Sequence, residues 1–482
     1  MKRLFLLGIA LLAATPVTAQ RRAAAPPALP ASLTAIADQV SEQSLRSYVE
    51  RLVSFGTRHT LSSQDHPNRG IGAALRWTEA EFQRISRECG NCLTIASPEE
   101  MVTSPPRVPN PTRIRDMIAI QRGTTDPNRV VIITGHIDSR VTDVMNATAD
   151  APGANDDGSG TAAVIEAARV LSRHRFPATI VYAALSGEEQ GLHGGRILAN
   201  YAKAQGWQVE ANLNNDIIGN SCSSDGVCDD DNVRVFSEGL RWQGGDQIRG
   251  QVRSQGGEND SPSRNLSRFI ADLGGELGLG LDVRQIWRND RFGRGGDHTE
   301  FLNQGFPAVR FSVAIENYNW QHQDLRVENG VEFGDTIDKM DFPYLRRVTA
   351  LNVAALAALA RAPMPPEATV QGAVSTFTTV AWDPVATAVG YVVRWRRTDA
   401  NQWQSAVRIP SSAGVENDGC PRLDRELAST LRRSCGFRLE GVRVDDWVFG
   451  VTSIAADGSE SPVASAVPGG AFRPYTPPPP AQ

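Results

Sequence analysis

Residues 129–134 read RVVIIT, apolar at nearly every position and too short for a helix, the pattern of a strand buried on both faces. The same kind of run returns at 179–185 (TIVYAAL), 209–215 and 308–314 (AVRFSVA). Between and after these runs the apolar positions fall at helical spacing, at 160–172, 192–203 and 344–361. Strands alternating with helices predict an α/β fold, a three-layer α/β/α domain with a mostly parallel mixed sheet. Ahead of it, Leu45, Tyr48, Val49, Leu52 and Val53, then Ile71, Leu75, Phe82 and Ile85, recur at helical spacing. The Pro-rich stretch 102–113 reads as loop. Beyond a linker at 363–367 the pattern shortens into strands at 376–382, 390–395 and 447–454, which predict an all-β sandwich over 368–474. The first domain spans 32–362, and the Pro-rich residues 475–482 have no apolar core of their own.

A chain of 482 residues is longer than one compact domain usually is, which agrees with that division. Residues 1–19 carry Lys2 and Arg3, an apolar stretch at 4–14 and the small-residue site Val17-Thr18-Ala19. This is the pattern of a signal peptide, followed by a Pro/Ala-rich lead-in at 20–31. The protein is therefore expected to be exported, periplasmic or secreted, with no membrane span. A net charge of -5 gives no reason to expect a nucleic-acid partner. In an oxidising compartment, six cysteines in three local pairs predict disulfides: Cys89 with Cys92, Cys222 with Cys228, Cys420 with Cys435. Cys89-Gly90-Asn91-Cys92 has no second CxxC to complete a thiolate zinc site.

The chemistry gathers at predicted strand ends. Gly135-His136-Ile137-Asp138-Ser139 follows one strand, Ser186-Gly187-Glu188-Glu189 the next, and Asp216 ends a third. In open α/β sheets ligands bind at the carboxyl ends of strands, so these groups should converge. Asn155-Asp156-Asp157-Gly158-Ser159-Gly160, opening a helix, and Gly295-Gly296-Asp297-His298 suit the same rim. Two imidazoles and at least three carboxylates form a donor set for zinc, with manganese or cobalt as substitutes. A carboxylate can bridge two metals, whereas an imidazole has one free lone pair. Neighbouring Glu188 and Glu189 point apart in extended backbone, so one can bind metal while the other faces water. On its own the pair would read as a solvated acidic turn.

Taken in order, His136-Ile137-Asp138-Ser139, Asn155-Asp156-Asp157-Gly158-Ser159-Gly160, Gly187-Glu188-Glu189-Gln190-Gly191-Leu192, Asn215-Asp216 and Gly296-Asp297-His298 resemble the zinc aminopeptidase family M28. The similarity extends over about residues 35–361. It implies two zinc ions per chain. His136 and Asp216 would hold one, Glu189 and His298 the other, and Asp156 would bridge them. Glu188 would be the general base, taking a proton from the attacking water and passing it to the leaving nitrogen. Asp138 would orient the His136 ring. The resemblance also implies a cis peptide at Asp156–Asp157 and peptide substrates with a free N-terminus.

Other features admit plainer readings. His59 and His66 suit loop or capping roles, and His174 and His193 suit the surface. His322, in Gln321-His322-Gln323-Asp324, resembles a segment that borders the substrate pocket in this family and is not expected to bind metal. Asp229-Asp230-Asp231 is read as a solvated acidic loop in preference to a calcium site, since it lacks EF-hand spacing. Arg291 and Arg294, flanking Phe292, suit either substrate contact or rim ion pairs. Val380-Ala381-Trp382-Asp383-Pro384 and Gly390-Tyr391-Val392-Val393-Arg394-Trp395 resemble a fibronectin type III module with Trp382 and Tyr391 in its core. Two rivals remain. One is a carboxypeptidase, dipeptidase or glutaminyl cyclase of the same fold; cyclases similar to the family hold a single zinc. The other is a non-catalytic receptor-like or adhesive ectodomain, which would typically have lost metal ligands.

Overall fold

The computed structural model describes residues 31–409 and 419–474; the signal-peptide and tail assignments lie outside them. An eight-stranded sheet organises the first domain. Its strands in chain order are β1 (Leu93–Ala96), β2 (Met117–Gln121), β3 (Asp126–His136), β4 (Ala178–Leu185), β5 (Gln208–Asn215), β6 (Asn232–Ser237), β7 (Asp282–Ile286) and β8 (Ala308–Val313). They lie side by side in the order β1-β2-β4-β3-β5-β8-β6-β7. The central four, β4-β3-β5-β8, are parallel, whereas β2 runs antiparallel to β4 and β6 antiparallel to β8. The sheet is therefore mixed, with a parallel centre.

Both faces are covered. Helices Glu42–Val53, Ile71–Glu88, Gly158–Leu171 and Phe342–Arg361 bury one face in the main core. His193–Ala204 and His298–Asn303 cover the other, where Leu198, Ala199 and Phe301 meet Val130, Ile132 and Val181. With helices on both sides, the central strands can be apolar throughout, which is why 129–134 and 179–185 read as unbroken runs. The 102–113 stretch, expected as loop, is instead most of a hairpin, Glu99–Ser104 with Val108–Arg115. Its prolines are tolerated because it stands as a separate two-stranded ribbon, with Pro105-Pro106 at the turn. Val102, Val108 and Ile114 anchor it on Ile197.

The C-terminal part of the chain forms two antiparallel sheets. One holds Ala368–Gln371, Phe377–Trp382 and Cys435–Glu440; the other holds Ser405–Arg408, Gly390–Arg397, Trp447–Ile454 and Ala464–Ser465. Trp382 and Tyr391 meet between them with ring centroids 5.3 Å apart. The three cysteine pairs are disulfides as expected.

One buried carboxylate ties the C-terminal sheets to helix Pro262–Leu277. Asp260, at the start of helix Pro262–Leu277, accepts from Arg396 Nη2 of the sandwich at 2.5 Å and from Ser465 Oγ at 3.3 Å, and Arg268 Nη1 lies 3.9 Å away. Both guanidiniums and the carboxylate are almost fully buried. Removing the acid leaves two buried cations facing each other. Asp260→Ala should therefore lower stability by about 3–5 kcal/mol, measured by chemical denaturation followed through tryptophan fluorescence; a change within experimental error would mean that this acid does not hold the sheets to that helix.

Candidate metal centre

The parallel strands end at one level. His136, the last residue of β3, lies beside Leu185 of β4, and Asn215 of β5 lies beside Phe311 of β8. The chemistry-bearing turns 186–189, 216–217 and 137–157 therefore leave the same edge of the sheet. Asp157 joins them. Its Oδ2 accepts from the His136 N–H (2.9 Å), and its Oδ1 accepts from the N–H groups of Gly160 (2.9 Å) and Ile217 (3.2 Å). The Gly160 bond caps helix Gly158–Leu171. Gly160 cannot carry a side chain, since a Cβ there would stand 2.2 Å from the Asn215 carbonyl. The Asp156–Asp157 peptide is cis. Asp335, on a distant loop, accepts from the backbone N–H groups of Asn155 and Asp156 at 2.9 and 2.7 Å.

Two three-residue groups with ligand-competent atoms converge here: His136, Glu188 and Asp216, and Asp156, Glu189 and His322. Within each, the candidate atoms lie within 4.8 Å of one another. The groups meet at Asp156, whose Oδ1 is 3.2 Å from His136 Nε2 and whose Oδ2 is 2.8 Å from His322 Nε2. Glu189 Oε1 is 2.9 Å from the same His322 nitrogen. Asp138 sits behind the first group. Its backbone carbonyl and Oδ1 lie 3.1 and 3.5 Å from His136 Nδ1, and its carboxylate accepts from the N–H groups of Glu188 and Glu189 and from Thr60 Oγ1.

His298 is in neither group. It opens helix His298–Asn303, where its Nε2 lies 3.0 Å from the Asn289 carbonyl and 3.8 Å from Asp290. The structure does not bring His298 to Glu189, where it was expected to complete the set; His322, read as a pocket residue, lies there instead. His193 is also corrected, being buried at the head of its helix instead of on the surface. His59, in keeping with a loop role, accepts from the Leu61 N–H at 3.0 Å. The acidic run is paired on the surface, Asp229 with Arg284 and Asp230 with Arg347. Arg291 and Arg294 both reach the buried Glu316 Oε2, at 3.4 and 3.1 Å, so the two arginines serve an ion pair.

The electrostatics favour added positive charge. Burial pushes the Glu188 carboxyl well above its usual range, helped by Asp216 and Glu189 and opposed by His136. Asp216 is also raised by burial, but Arg310 and His136 hold it down at about 2. Burial lowers His136, yet Glu188, Asp138, Asp156 and Asp216 together raise it well above an ordinary imidazole. Around His322, burial is likewise overcome by Glu189 and Asp156, which push its pKa up to about 10. The donors are oxygen and imidazole nitrogen with every described cysteine in a disulfide, so the set fits zinc.

The fold and this donor set define a metallopeptidase. Residues 116–354 match the family model described as "Peptidase family M28". A probable zinc metalloprotease of Leptosphaeria maculans is 40% identical over 447 residues, covering 92% of this chain and 98% of that protein. One from Pyricularia oryzae is 40% identical over 450 residues, covering 91% and 85%. The chain belongs to peptidase family M28 and is a zinc-dependent metallopeptidase. Among solved structures it shares its fold with LapB from Legionella pneumophila (TM-score 0.52, 18% identity, 70% of this chain and 76% of that one). The LapA aminopeptidase of the same organism is similar (TM-score 0.50, 17% identity, 73% and 80%).

His322 was expected at the pocket without a metal role, and nothing in the sequence singled out Arg140, Arg310 or Asp335. No periodicity marks them; the signal for His322 was that Gln321-His322-Gln323-Asp324 resembles a segment bordering the pocket in the family. The two histidines are separable by experiment. His322→Ala should lower bound zinc by about one equivalent after dialysis, and His298→Ala should keep the full complement, measured by elemental analysis. The opposite pattern would restore His298 as a ligand.

Proposed function

We propose that this chain is an exported aminopeptidase that holds two zinc ions and removes residues from the free amino end of peptides. The observation that carries the reading is Asp156, whose two carboxylate oxygens face two separate donor groups. In this reading His136 and Asp216 would hold one ion and Glu189 and His322 the other, with Asp156 placed to serve both. Zinc, when bound, supplies Lewis acidity that polarises the scissile carbonyl and lowers the pKa of water.

The remaining work falls to the chain. Glu188 is the acid of the cluster whose carboxylate has neither a hydrogen bond nor an ion pair to a described residue, whereas Asp216 is paired with Arg310, and the Glu188 N–H is held by Asp138 at 3.3 Å. Its burial-raised basicity suits it to take the proton of the attacking water and deliver it to the leaving nitrogen. Asp138 orients His136 and fixes the turn that carries both glutamates. The concentration of carboxylates favours a substrate that brings an ammonium group and disfavours one that brings a carboxylate, which supports the amino end as the point of attack. A second donor group beside the first disfavours the single-zinc cyclase alternative.

Export is supported by the leader at 1–19 and the three disulfides. No helix among the described residues is long and apolar enough to cross a membrane. The C-terminal pair of sheets is read as a fibronectin type III-like module on the Trp382 and Tyr391 motifs.

A panel of free and N-acetylated peptides, assayed before and after chelation, tests the reading. Hydrolysis should be confined to free peptides and vanish with the metal. Glu188→Gln should retain zinc while kcat falls by about 100- to 10,000-fold. Cleavage of the acetylated series at an equal rate would exclude an aminopeptidase, and full turnover by the glutamine variant would remove Glu188 from proton transfer.

A further inference from the structure

Each of the two donor groups has an arginine on one of its carboxylates, and the two arginines differ. Arg310 is fully buried, with Nη2 2.8 Å from Asp216 Oδ1. Its other nitrogen donates to both oxygens of Asp290, at 3.0 and 2.8 Å, and to the Gly295 carbonyl. Asp290 therefore balances the Arg310 charge, and the guanidinium acts as a rigid strut under Asp216.

Arg140 has no such balance. Its Nε donates to Glu189 Oε2 at 2.8 Å, and Glu189 is its only carboxylate partner among the described residues. Nη2 lies 2.6 Å from His322 Nδ1, and Nη1 reaches only the Val141 carbonyl next to it in the chain. The side chain is 17% exposed, against none for Arg310. The charge of Arg140 is thus directed at the Asp156/Glu189/His322 group and has room to leave it.

The His322 contact sharpens the point. The guanidinium that pairs with Glu189 also lies against the ring whose Nε2 faces Asp156 and Glu189, so a cation held by these three side chains would meet a positive charge already in place beside two of them.

We propose that Arg140 is a built-in competitor for the cation at the Asp156/Glu189/His322 position. The site then loads unequally: the His136/Asp216 position fills first, and the second fills only as Arg140 withdraws from Glu189. This rests on the two-zinc reading above and adds an order and a gatekeeping residue to it.

The test is a zinc titration of the chelator-stripped, full-length mature protein against a chromophoric competitor. Wild type should show two binding classes separated by about tenfold or more. Arg140→Gln, which keeps a polar side chain and removes the charge, should tighten the weaker class by about tenfold and leave the stronger class in place. Arg140→Lys should keep the gap, because the competing charge is retained. Two ions bound with unchanged affinities in the glutamine variant would overturn the competitor role alone. Loss of the second ion in that variant would also overturn it, making Arg140 a support for Glu189. A single binding class of one ion in wild type and in His322→Ala would remove the two-zinc reading and this inference together.

Discussion

Burying many carboxylates at one edge of a sheet is unfavourable unless each meets a donor or a cation, and the architecture around the catalytic edge follows from that requirement. Asp138, Asp157 and Asp335 are met by backbone N–H groups of the loops they organise. Asp216 and Asp290 share one buried guanidinium. Asp156 and Glu189 lie against His322, with His136 also on Asp156 and Arg140 also on Glu189. In a parallel sheet, strand ends converge with their last N–H and C=O groups unpaired by the ladder, and here acidic side chains satisfy the N–H groups. The same residues that neutralise the backbone also draw the loops into register.

Asp157 shows how folding and function are joined. Its carboxylate is the helix cap of Gly158–Leu171, a clamp on the end of β3 and a clamp on the turn after β5. Burial raises its pKa, and so do Asp216 and Asp156, against the pull of His136. It is held by three N–H groups as a local scaffold would be, while the residue before it faces both donor groups.

Much of this was legible in the sequence, for physical reasons. Central strands covered on both sides must be apolar throughout, so β3, β4, β5 and β8 announced themselves, and motifs placed at their ends had to meet. The helices flanking them carried clear spacing. Strands β1, β2, β6 and β7 were missed because they lie outside the parallel centre and run only four to six residues, and β6 and β7 also mix polar with apolar positions. The Pro-rich hairpin was missed because a ribbon outside the main sheet does not need every N–H. His322 was misjudged for a different reason. It sits on the loop after β8 with φ 58°, where neither periodicity nor a strand end restricts the side chain. The Gly296-Asp297-His298 motif, by contrast, is helix-start chemistry: Asp297 accepts from the Gly195 N–H at 3.0 Å and joins two helices, and His298 follows it into the packing.

The carboxylates thus sort by what neutralises them, and the sorting has a chemical meaning. An acid satisfied by backbone N–H groups cannot exchange those partners without unfolding a loop, so Asp138, Asp157 and Asp335 are committed to structure. An acid satisfied by a side-chain cation can exchange it for another cation at the cost of one rotamer, which is open to Glu189 through Arg140 and to Asp156 through the imidazoles. Arg310 stands between these cases, a side-chain cation anchored so firmly by Asp290 that it behaves as part of the frame. Glu188 belongs to neither set: it has no fixed donor, and its burial leaves it a stronger base than an exposed glutamate. A site that must hold cations, keep its loops in place and still move a proton needs all three kinds of acid, and the strand ends of this sheet supply each from a different backbone position.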